Sequence, residues 1–464
     1  MSEDQIRIFS LNCWGLKYVS KDRSDRVLAI ADFLATAPYD IVALQELWVY
    51  ADYEIVRASV MRYLPFAKFF YSGALGAGLA IFSRFPIIAA TIQPYSLNGS
   101  PIDVTGGDWF VGKAAASVLI THPVLGQVQI FNTHLFAKGG EGGPEHHRAH
   151  RLVNAWEFAK LAKQSAEIGR YVIAAGDFNS IPTTLPMTVI RDHAGLTDAW
   201  ASLHPPPSPS DISNSNSSPQ DAISTYGVTA DSPINTYSAG KPLDTHARAA
   251  QGKRLDYVLF RDPAPYLMAS SSLIPPRPTL VCSHARVQLT ELVPGRAFSY
   301  SDHFGLETTL TIKHPEHANN TLPSEAHDTS IASIAGPTSP FAIPHLSASA
   351  TTSVLSALAT CFRYAQGRSQ RELAAFAGCL AFDFVLLFGA SWCPTRWTPL
   401  LVLAGAVSTW WGTTMLYVGF VYGRWELNAL MNVIEEMELY RRGVEGGMDG
   451  NDLNDVFKSR EISF

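Results

Sequence analysis

Charged residues are scarce in this sequence, and no strong excess of one sign is present. Only 16% of the 464 residues are Asp, Glu, Lys or Arg, and the formal net charge is −6. A protein that binds a nucleic acid usually carries a basic face that displaces counterions from the phosphates. The composition therefore disfavours a nucleic-acid partner.

Cysteine is also rare, and the sequence begins without a signal-like segment. The five cysteines form no CxxC pair and no regular disulfide framework, which predicts a reducing compartment. Residues 1–5 are not a basic stretch followed by an apolar one. The part of the chain that follows is therefore not expected to be secreted.

Hydrophobic residues make up 47% of the sequence and are concentrated in two long runs near the C-terminus. Residues 373–392 and 400–422 are each near the ~20 residues that a helix needs to cross a bilayer. They predict a transmembrane hairpin rather than two buried soluble helices, because neither run has a polar face. Asp383 interrupts the first run. Because an unpaired carboxylate in a bilayer is costly, it is expected to face Thr409, Thr413, Thr414 or the partner helix, or to be protonated.

Arginines flank the predicted hairpin on both sides, whereas its turn contains only Arg396. This distribution predicts that both ends, and with them the catalytic part, face the cytosol. We expect an integral membrane protein of the endoplasmic reticulum or another endomembrane, with the mitochondrial outer membrane as an alternative. The arginines before the hairpin also suggest activation by anionic phospholipids, although topology alone would place them there. The flanking residues are Arg363, Arg368, Arg371, Arg424, Arg441 and Arg442.

The composition divides the chain into several segments. Alternating strand and helix patterns over residues 1–313 predict one catalytic domain of the α+β class, interrupted by a disordered Pro/Ser/Asn-rich insertion at 205–220. A flexible Ser/Thr/Pro-rich linker is expected at 314–352. It is followed by a juxtamembrane segment at 353–372, the hairpin, and a cytosolic tail at 423–464.

Five apolar strand patterns in the catalytic domain carry polar groups at one end. Such groups can bind a hard cation, accept a proton or contact a phosphate. One residue of this kind is more often structural, but five sets together predict a divalent-metal phosphoesterase site. The sets are Asn12, Gln45-Glu46, Asn132-Thr133-His134, Asp177-Phe178-Asn179 and Ser301-Asp302-His303.

Glu46 and Asn12 are predicted to hold Mg²⁺, with Mn²⁺ as an alternative. Mg²⁺ prefers a few carboxylate or amide oxygens and completes its octahedron with water and substrate phosphate. Asp177 and Asn179 flank Phe178 and would point to one face of an extended segment, where they could orient a nucleophilic water. A simple Asx turn is the structural alternative for this pair.

His303 is the expected general base. The adjacent Asp302 would orient its imidazole, or serve the metal or the backbone instead. His134 would protonate or hydrogen-bond the leaving group. Each of these histidines, taken singly, is more often structural.

Residues 107–113 fit the nucleotide-binding pattern GxxxxGK, but Ala114 follows where that loop needs a hydroxyl group for Mg²⁺. ATP binding is therefore not expected. Asp108 and Lys113 are predicted to form a charge pair or to contact a headgroup, the alternative being a surface loop with unrelated charges. If they take part in the reaction, Asp108→Ala and Lys113→Ala should each lose turnover while the protein folds normally.

Together with Leu255-Asp256-Tyr257, the strand-end motifs resemble the DNase I-like endonuclease/exonuclease/phosphatase superfamily over roughly residues 6–312. The resemblance implies a four-layer α/β sandwich, in which two packed mixed sheets are flanked by helices, and Mg²⁺-dependent cleavage of a phosphoester. Residues 73–87, 107–113 and 233–238 are similar to segments of the neutral sphingomyelinase and inositol phosphosphingolipid phospholipase C family. In that family the Asp and Lys of the second segment are held to switch the site on.

The resemblance implies phospholipase C-type hydrolysis of sphingomyelin or inositol phosphoceramide to ceramide and a phosphorylated headgroup. Asp108, Lys113 and Asn132 would be regulatory or substrate-contacting residues. The expected partners are the lipid substrate, the bilayer and anionic phospholipids, with no nucleic acid and no protein partner.

Two other classes stay open, and so does the headgroup. One is a nuclease or an inositol-polyphosphate phosphatase of the same superfamily. The other is a non-catalytic membrane scaffold, which would be expected to lack at least one of Glu46, Asp177, Asn179 and His303. All four are present.

Overall fold

The computed structural model describes residues 3–104, 107–140, 142–205, 218–264, 277–315 and 345–444. Two six-stranded mixed sheets pack face to face, and helices cover both outer faces. This arrangement confirms the four-layer α+β sandwich expected from the sequence.

The first sheet contains β1 (Gln5–Asn12), β2 (Ile41–Gln45), β3 (Phe66–Phe70), β4 (Leu79–Ser83), β11 (Thr279–Gln288) and β12 (Gly305–Lys313). Its strand order is β11-β12-β1-β2-β4-β3. The β1 and β2 strands are parallel, and the other neighbours are antiparallel.

The second sheet contains β5 (Ile87–Pro94), β6 (Ala114–His122), β7 (Gly126–His134), β8 (Tyr171–Asp177), β9 (Thr197–Asp198) and β10 (Asp256–Arg261). Its strand order is β5-β6-β7-β8-β10-β9. Here β7 and β8 form the parallel pair. Each sheet therefore places the carboxyl ends of two strands side by side.

The main core lies between the two sheets. Ile8 and Ile81 of the first sheet pack in one apolar cluster with Val118 and Ile130 of the second. Burial of each such side chain contributes about 1.5 to 3 kcal/mol before the opposing entropy is counted. The central strands are covered on both faces, which explains their nearly continuous apolar sequence.

Helices form the outer layers and the C-terminal extension. The α1 and α2 helices cover the first sheet, and α4 covers the second. The helices are α1 (Arg23–Thr36), α2 (Tyr50–Val60), α3 (Asp108–Val111), α4 (Glu145–Glu167), α5 (Leu185–Thr188), α6 (Ala199–Leu203), α7 (Pro219–Tyr226), α8 (Thr245–Ala249), α9 (Ala348–Gly389), α10 (Thr398–Leu416) and α11 (Gly423–Val444). Short π-helical segments, Val189–His193 and Tyr417–Tyr422, follow α5 and α10.

Two predicted segment boundaries differ from the structure. The α9 helix begins at Ala348, inside the linker predicted at 314–352. The insertion predicted at 205–220 ends earlier, because Ser218 caps α7 through a capping box with Asp221. The rest of both predictions, residues 316–344 and 206–217, lies outside the described residues.

The juxtamembrane segment and the start of the tail pack on the catalytic domain. Leu358 of α9 and Leu430 of α11 are fully buried in the same core as Phe158 of α4. The sequence predicted a juxtamembrane segment and a cytosolic tail here and did not indicate this packing. The end of the tail, 445–464, lies outside the described residues.

A buried polar cluster joins these helices to α4. Nδ1 of His150 accepts the Gly99 N–H at 3.0 Å, so its Nε2 carries the proton and donates to Glu426 at 3.0 Å. Glu426 also pairs with Arg368. Burial alone would raise the pKa of Glu426, but the hydrogen bond from His150 and the charge of Arg368 lower it. His150, Glu426 and Cys361 lie close enough together to hold a metal ion. His150 has no free lone pair for one, however, because both of its ring nitrogens are already hydrogen-bonded.

The two C-terminal helical regions, Ala348–Trp392 and Thr395–Val444, are long and apolar enough to cross a membrane. Their most apolar windows are 0% and 17% buried. The helices reverse direction between them, as expected for a hairpin. Oδ2 of Asp383 accepts a hydrogen bond from Oγ1 of Thr409 at 3.0 Å, which confirms one of the predicted partners.

Candidate active site

The predicted residues meet at one edge of the sandwich because of the strand register. Parallel pairing places Asn12 beside Gln45 in the first sheet and His134 beside Asp177 in the second. The antiparallel β10 begins with Asp256 directly opposite Asp177. Residues that are far apart in sequence therefore form one cluster.

Buried amides join the two sheets beneath this cluster. Nδ2 of Asn132 donates to the backbone oxygens of Leu44 and Ala80, both at 2.9 Å, and its Oδ1 accepts from Nε2 of Gln45 at 2.7 Å. Asn132 is fully buried. It therefore positions the sheets and presents no surface for the predicted substrate contact, while a regulatory role for Asn132 stays a prediction.

The turn after β8 aims Asp177 into the cluster. Oδ1 of Asp177 accepts the Asn179 N–H at 2.9 Å, and Oδ2 accepts from Nδ2 of Asn12 at 3.0 Å. Asn179 has a φ of 47°, so the segment is an Asx turn rather than the extended segment expected. Phe178 is buried in the core as predicted, while the amide of Asn179 donates to Leu135 O at 3.0 Å.

His303 is oriented by Asp256 rather than by its neighbour Asp302. Nδ1 of His303 donates to Oδ2 of Asp256 at 2.8 Å, and Nε2 faces Oδ2 of Asp177 at 3.9 Å. Burial alone would lower the pKa of His303, but these two carboxylates outweigh it and raise the pKa well above 6.5. Oδ1 of Asp302 instead accepts from Ser301 Oγ at 3.3 Å.

Sequence reasoning assigned no role to Asp256. The signal that could have found it is the Leu255-Asp256-Tyr257 motif, which places a carboxylate at the start of an apolar strand. The pairing of this strand with the end of β8 is not visible in the sequence.

Lys113 connects Asp108 to His134. Its Nζ pairs with Oδ1 of Asp108 at 3.0 Å and donates to Nε2 of His134 and to Leu135 O, both at 2.9 Å. Asp108 and Lys113 therefore form the charge pair that was predicted, and Lys113 is only 2% exposed. A surface loop with unrelated charges is excluded.

His134 does not fit the predicted role of a general acid. Burial, and then the charge of Lys113, lowers the pKa of His134 well below 6.5. The ring is therefore neutral, and its Nε2 accepts a hydrogen bond instead of carrying a proton to the leaving group.

Glu46 and Asp177 both accept a hydrogen bond from Nδ2 of Asn12, and carboxylate oxygens are donors that suit a hard cation. Burial, followed by the charge of Asp302, raises the pKa of Glu46 to about 7. Burial also raises the pKa of Asp177 to about 6, against the opposing charge of His303. Carboxyl groups that retain protons this strongly would be stabilised in their charged form by a nearby cation. Oxygen donors of this kind fit Mg²⁺.

Asn12 holds Glu46 and Asp177 in place. Its Nδ2 donates to Oε1 of Glu46 at 3.1 Å as well as to Asp177. Its Oδ1, the atom that a metal ion would need, accepts the Trp14 N–H at 3.0 Å. For Asn12 to act as a ligand, it would have to exchange this hydrogen bond for the ion.

Three loops brace the cluster. The loop that begins at Gly73 contacts α3, because the N–H groups of Ala74 and Leu75 donate to Phe110 O at 3.1 and 3.0 Å. Nδ2 of Asn235 donates to Ser301 O at 2.9 Å. The three segments that resemble the sphingomyelinase family, 73–87, 107–113 and 233–238, thus lie around the cluster and are hydrogen-bonded to one another or to its residues.

Two enzymes of known activity are similar to this chain in sequence. An inositol phosphosphingolipids phospholipase C of Schizosaccharomyces pombe is 33% identical over 444 residues, which cover 94% of this chain and 94% of the relative. Human sphingomyelin phosphodiesterase 2 is 31% identical over 323 residues, which cover 70% of this chain and 68% of the relative.

Solved structures and a family model were compared as well. The crystal structure of SmcL aligns with a TM-score of 0.44 at 17% identity, over 67% of this chain and 100% of its own. The model of the endonuclease/exonuclease/phosphatase family matches residues 9–303. The chain belongs to this family and, within it, to the group of inositol phosphosphingolipid phospholipases C and neutral sphingomyelinases.

Proposed function

We propose that the protein hydrolyses a phosphosphingolipid in the manner of a phospholipase C, with Mg²⁺ as its cofactor. The products would be ceramide and the phosphorylated headgroup. The observation that carries the proposal is the convergence of Glu46, Asp177 and the His303–Asp256 pair at one edge of the sandwich. The activities for which the two relatives are named support the lipid class.

His303 is the general base of the proposed reaction. Asp256 holds the proton on Nδ1, so Nε2 presents its lone pair when the ring is neutral. A water molecule gives its proton to Nε2 while its oxygen attacks phosphorus, and the bond from phosphorus to the ceramide oxygen breaks. The departing alkoxide takes a proton from solvent. Asp256 stabilises the imidazolium that forms.

Glu46 would hold Mg²⁺, with Asn12 as a second ligand after its amide changes partner. When bound, Mg²⁺ supplies positive charge that neutralises the phosphoryl oxygens and the departing alkoxide. Asp177 and Asn179 orient the attacking water. Mn²⁺ has similar ligand preferences and is the expected substitute.

The hairpin of α9 and α10 is proposed to anchor the protein in a membrane. Substrate and ceramide both stay in the bilayer, so an anchored domain meets its substrate at a raised effective concentration. We infer that the catalytic domain faces the cytosol, at the endoplasmic reticulum or another endomembrane, or at the mitochondrial outer membrane. Anionic lipids would contact the exposed Arg363 and Arg371, because Arg368 is already paired with Glu426.

The test is headgroup release by the detergent-solubilised full chain. Labelled sphingomyelin and inositol phosphoceramide are offered in mixed micelles with anionic lipid, with and without Mg²⁺ or Mn²⁺. We expect metal-dependent release that is lost in His303→Ala and Glu46→Gln. His314→Ala is the matched control, because His314 is exposed at the end of the first sheet.

Other outcomes identify the alternatives. Cleavage of DNA or of an inositol polyphosphate, but of neither lipid, would show that the substrate class is wrong while the family chemistry holds. A wild-type protein inert on all of them would point to a membrane scaffold.

A further inference from the structure

A polar cavity of about 200 Å³ opens beside His303. Among the described residues that line it, the imidazole of His303 is the only ring. Apart from Leu255, the others carry charged, amide, hydroxyl or small side chains, including Asn179, Asp231, Ser238, Lys241 and Lys253. A cavity of this composition can exchange hydrogen bonds with a polar ligand.

The wall of the cavity is held in register with the catalytic histidine. Ala230 and Lys253 exchange backbone hydrogen bonds at 2.9 and 2.8 Å, and Phe304 N–H donates to Thr229 O at 2.7 Å. Asp231 follows directly with a φ of 53°, an uncommon left-handed conformation. Groups in this wall therefore keep a constant position relative to the phosphate that His303 would serve.

The two lysines of the cavity differ in charge balance. Nζ of Lys253 pairs with Asp244 and, at 3.2 Å, with Asp231. Burial alone would lower the pKa of Lys253, but the hydrogen bond to Asp244 and the charge of Asp231 raise it. Lys241 is exposed and has no carboxylate within ion-pair distance among the described residues. Lys241 is thus the cation that can meet an incoming ligand.

Trp14 and Tyr237 do not offer a free aromatic face to a quaternary ammonium, because cations already lie over their rings. Such cations bind in cages of aromatic rings. The guanidinium of Arg26 already lies over Trp14 at 4.9 Å and over Tyr237 at 5.4 Å. Nζ of Lys241 is also 5.9 Å from the Trp14 ring. These cations would repel a choline group.

We propose that Lys241 and Asp231 select a polyhydroxylated phosphate headgroup, of the inositol phosphate class, over phosphocholine. This inference rests on the proposed function and names the headgroup that the site prefers. The ammonium of Lys241 donates to a ring hydroxyl or phosphate oxygen, and the carboxylate of Asp231 accepts from a ring hydroxyl. Neither side chain takes part in bond breaking.

The test compares kcat/KM for inositol phosphoceramide and sphingomyelin in the same micelles. We expect the wild type to prefer inositol phosphoceramide. A charge-assisted hydrogen bond contributes about 1.5 to 3 kcal/mol, so Lys241→Met should lose about tenfold or more on that lipid, mainly through KM. The loss on sphingomyelin should be smaller. Asp231→Asn should act in the same direction, and Lys313→Met, at the exposed end of β12, is the control.

An equal loss on both lipids, or an unchanged preference in Lys241→Met, would overturn the inference while leaving the proposed function intact. If the wild type cleaves neither lipid, the proposed function fails by itself. Binding of inositol 1-phosphate, followed by ligand-observed NMR, then decides the inference. Weaker binding by Lys241→Met than by wild type supports it, and equal binding refutes it.

Discussion

Replacement of Asp256 by Asn tests which carboxylate governs the catalytic base. Asp256 is fully buried, and its Oδ2 lies 2.8 Å from Nδ1 of His303. Asn removes the charge at nearly constant volume. Its NH₂ group can also donate to Nδ1, which would move the ring proton to Nε2 and remove the lone pair that accepts the proton of water.

Two magnitudes follow for Asp256→Asn. The hydrogen bond between an ionised carboxylate and an imidazolium contributes about 1.5 to 3 kcal/mol, and about 1.4 kcal/mol corresponds to a pKa change of 1. The pKa of His303 should therefore fall by about 1 to 2. His303 must be neutral to act as a base, so the rising limb of kcat against pH moves to lower pH. The plateau of kcat should fall by roughly 10²- to 10⁴-fold because the base is misoriented.

The assay is the pH profile of kcat for headgroup release at saturating Mg²⁺. Asp302→Asn is the comparison variant, because the charge of Asp302 also raises the pKa of His303 but less than Asp256 does, so the limb should move less than in Asp256→Asn. Near-wild-type thermal melting of Asp256→Asn would show that the fold is retained. A limb that stays in place in Asp256→Asn, or that moves only in Asp302→Asn, would refute the reasoning.

Three further results are expected. Affinity for Mn²⁺, measured by calorimetry, should weaken as the pH falls below about 7, because Glu46 must release a proton whose pKa is about 7. Glu46→Gln should abolish this pH dependence. A wild-type affinity that does not change with pH would contradict the prediction. Glu426→Gln should destabilise the protein by about 2 to 3 kcal/mol in thermal unfolding, since Arg368 loses a buried partner. Glu438→Gln on the same helix should change the stability little. Equal effects of the two variants would argue against a stabilising role for the buried cluster of His150, Glu426 and Arg368. Lys113→Ala should lose turnover and should also melt at a lower temperature, because it leaves the buried carboxylate of Asp108 without its partner. Wild-type turnover in the folded variant would remove this lysine from the mechanism.

The local chemistry of the site was predictable because strand patterns reveal where a buried segment ends. Glu46, Asp177, Asn179 and His303 follow or precede such segments, and the structure brings all of them to the same edge. The hairpin and the pairing of Asp383 were predictable for a similar reason, since length and apolarity are local properties.

Partner choice was not predictable, because it depends on register between distant strands. Asp256 replaced Asp302 as the partner of His303 since β10 runs antiparallel to β8 and begins at the catalytic edge. His134 lost its predicted acid role because a lysine from another strand end fills its hydrogen-bonding site.

By itself, the sequence determined the fold class, the strand-end groups and the apolar hairpin, because each follows from a pattern within one segment. Only the tertiary structure decided that α9 and α11 pack on the catalytic domain and that the buried side chain of Asn132 links the two sheets by hydrogen bonds. It also decided that Lys241 lies in the cavity beside His303. The physical reason is that burial, charge pairing and tautomer depend on atoms that are adjacent in space and remote along the chain.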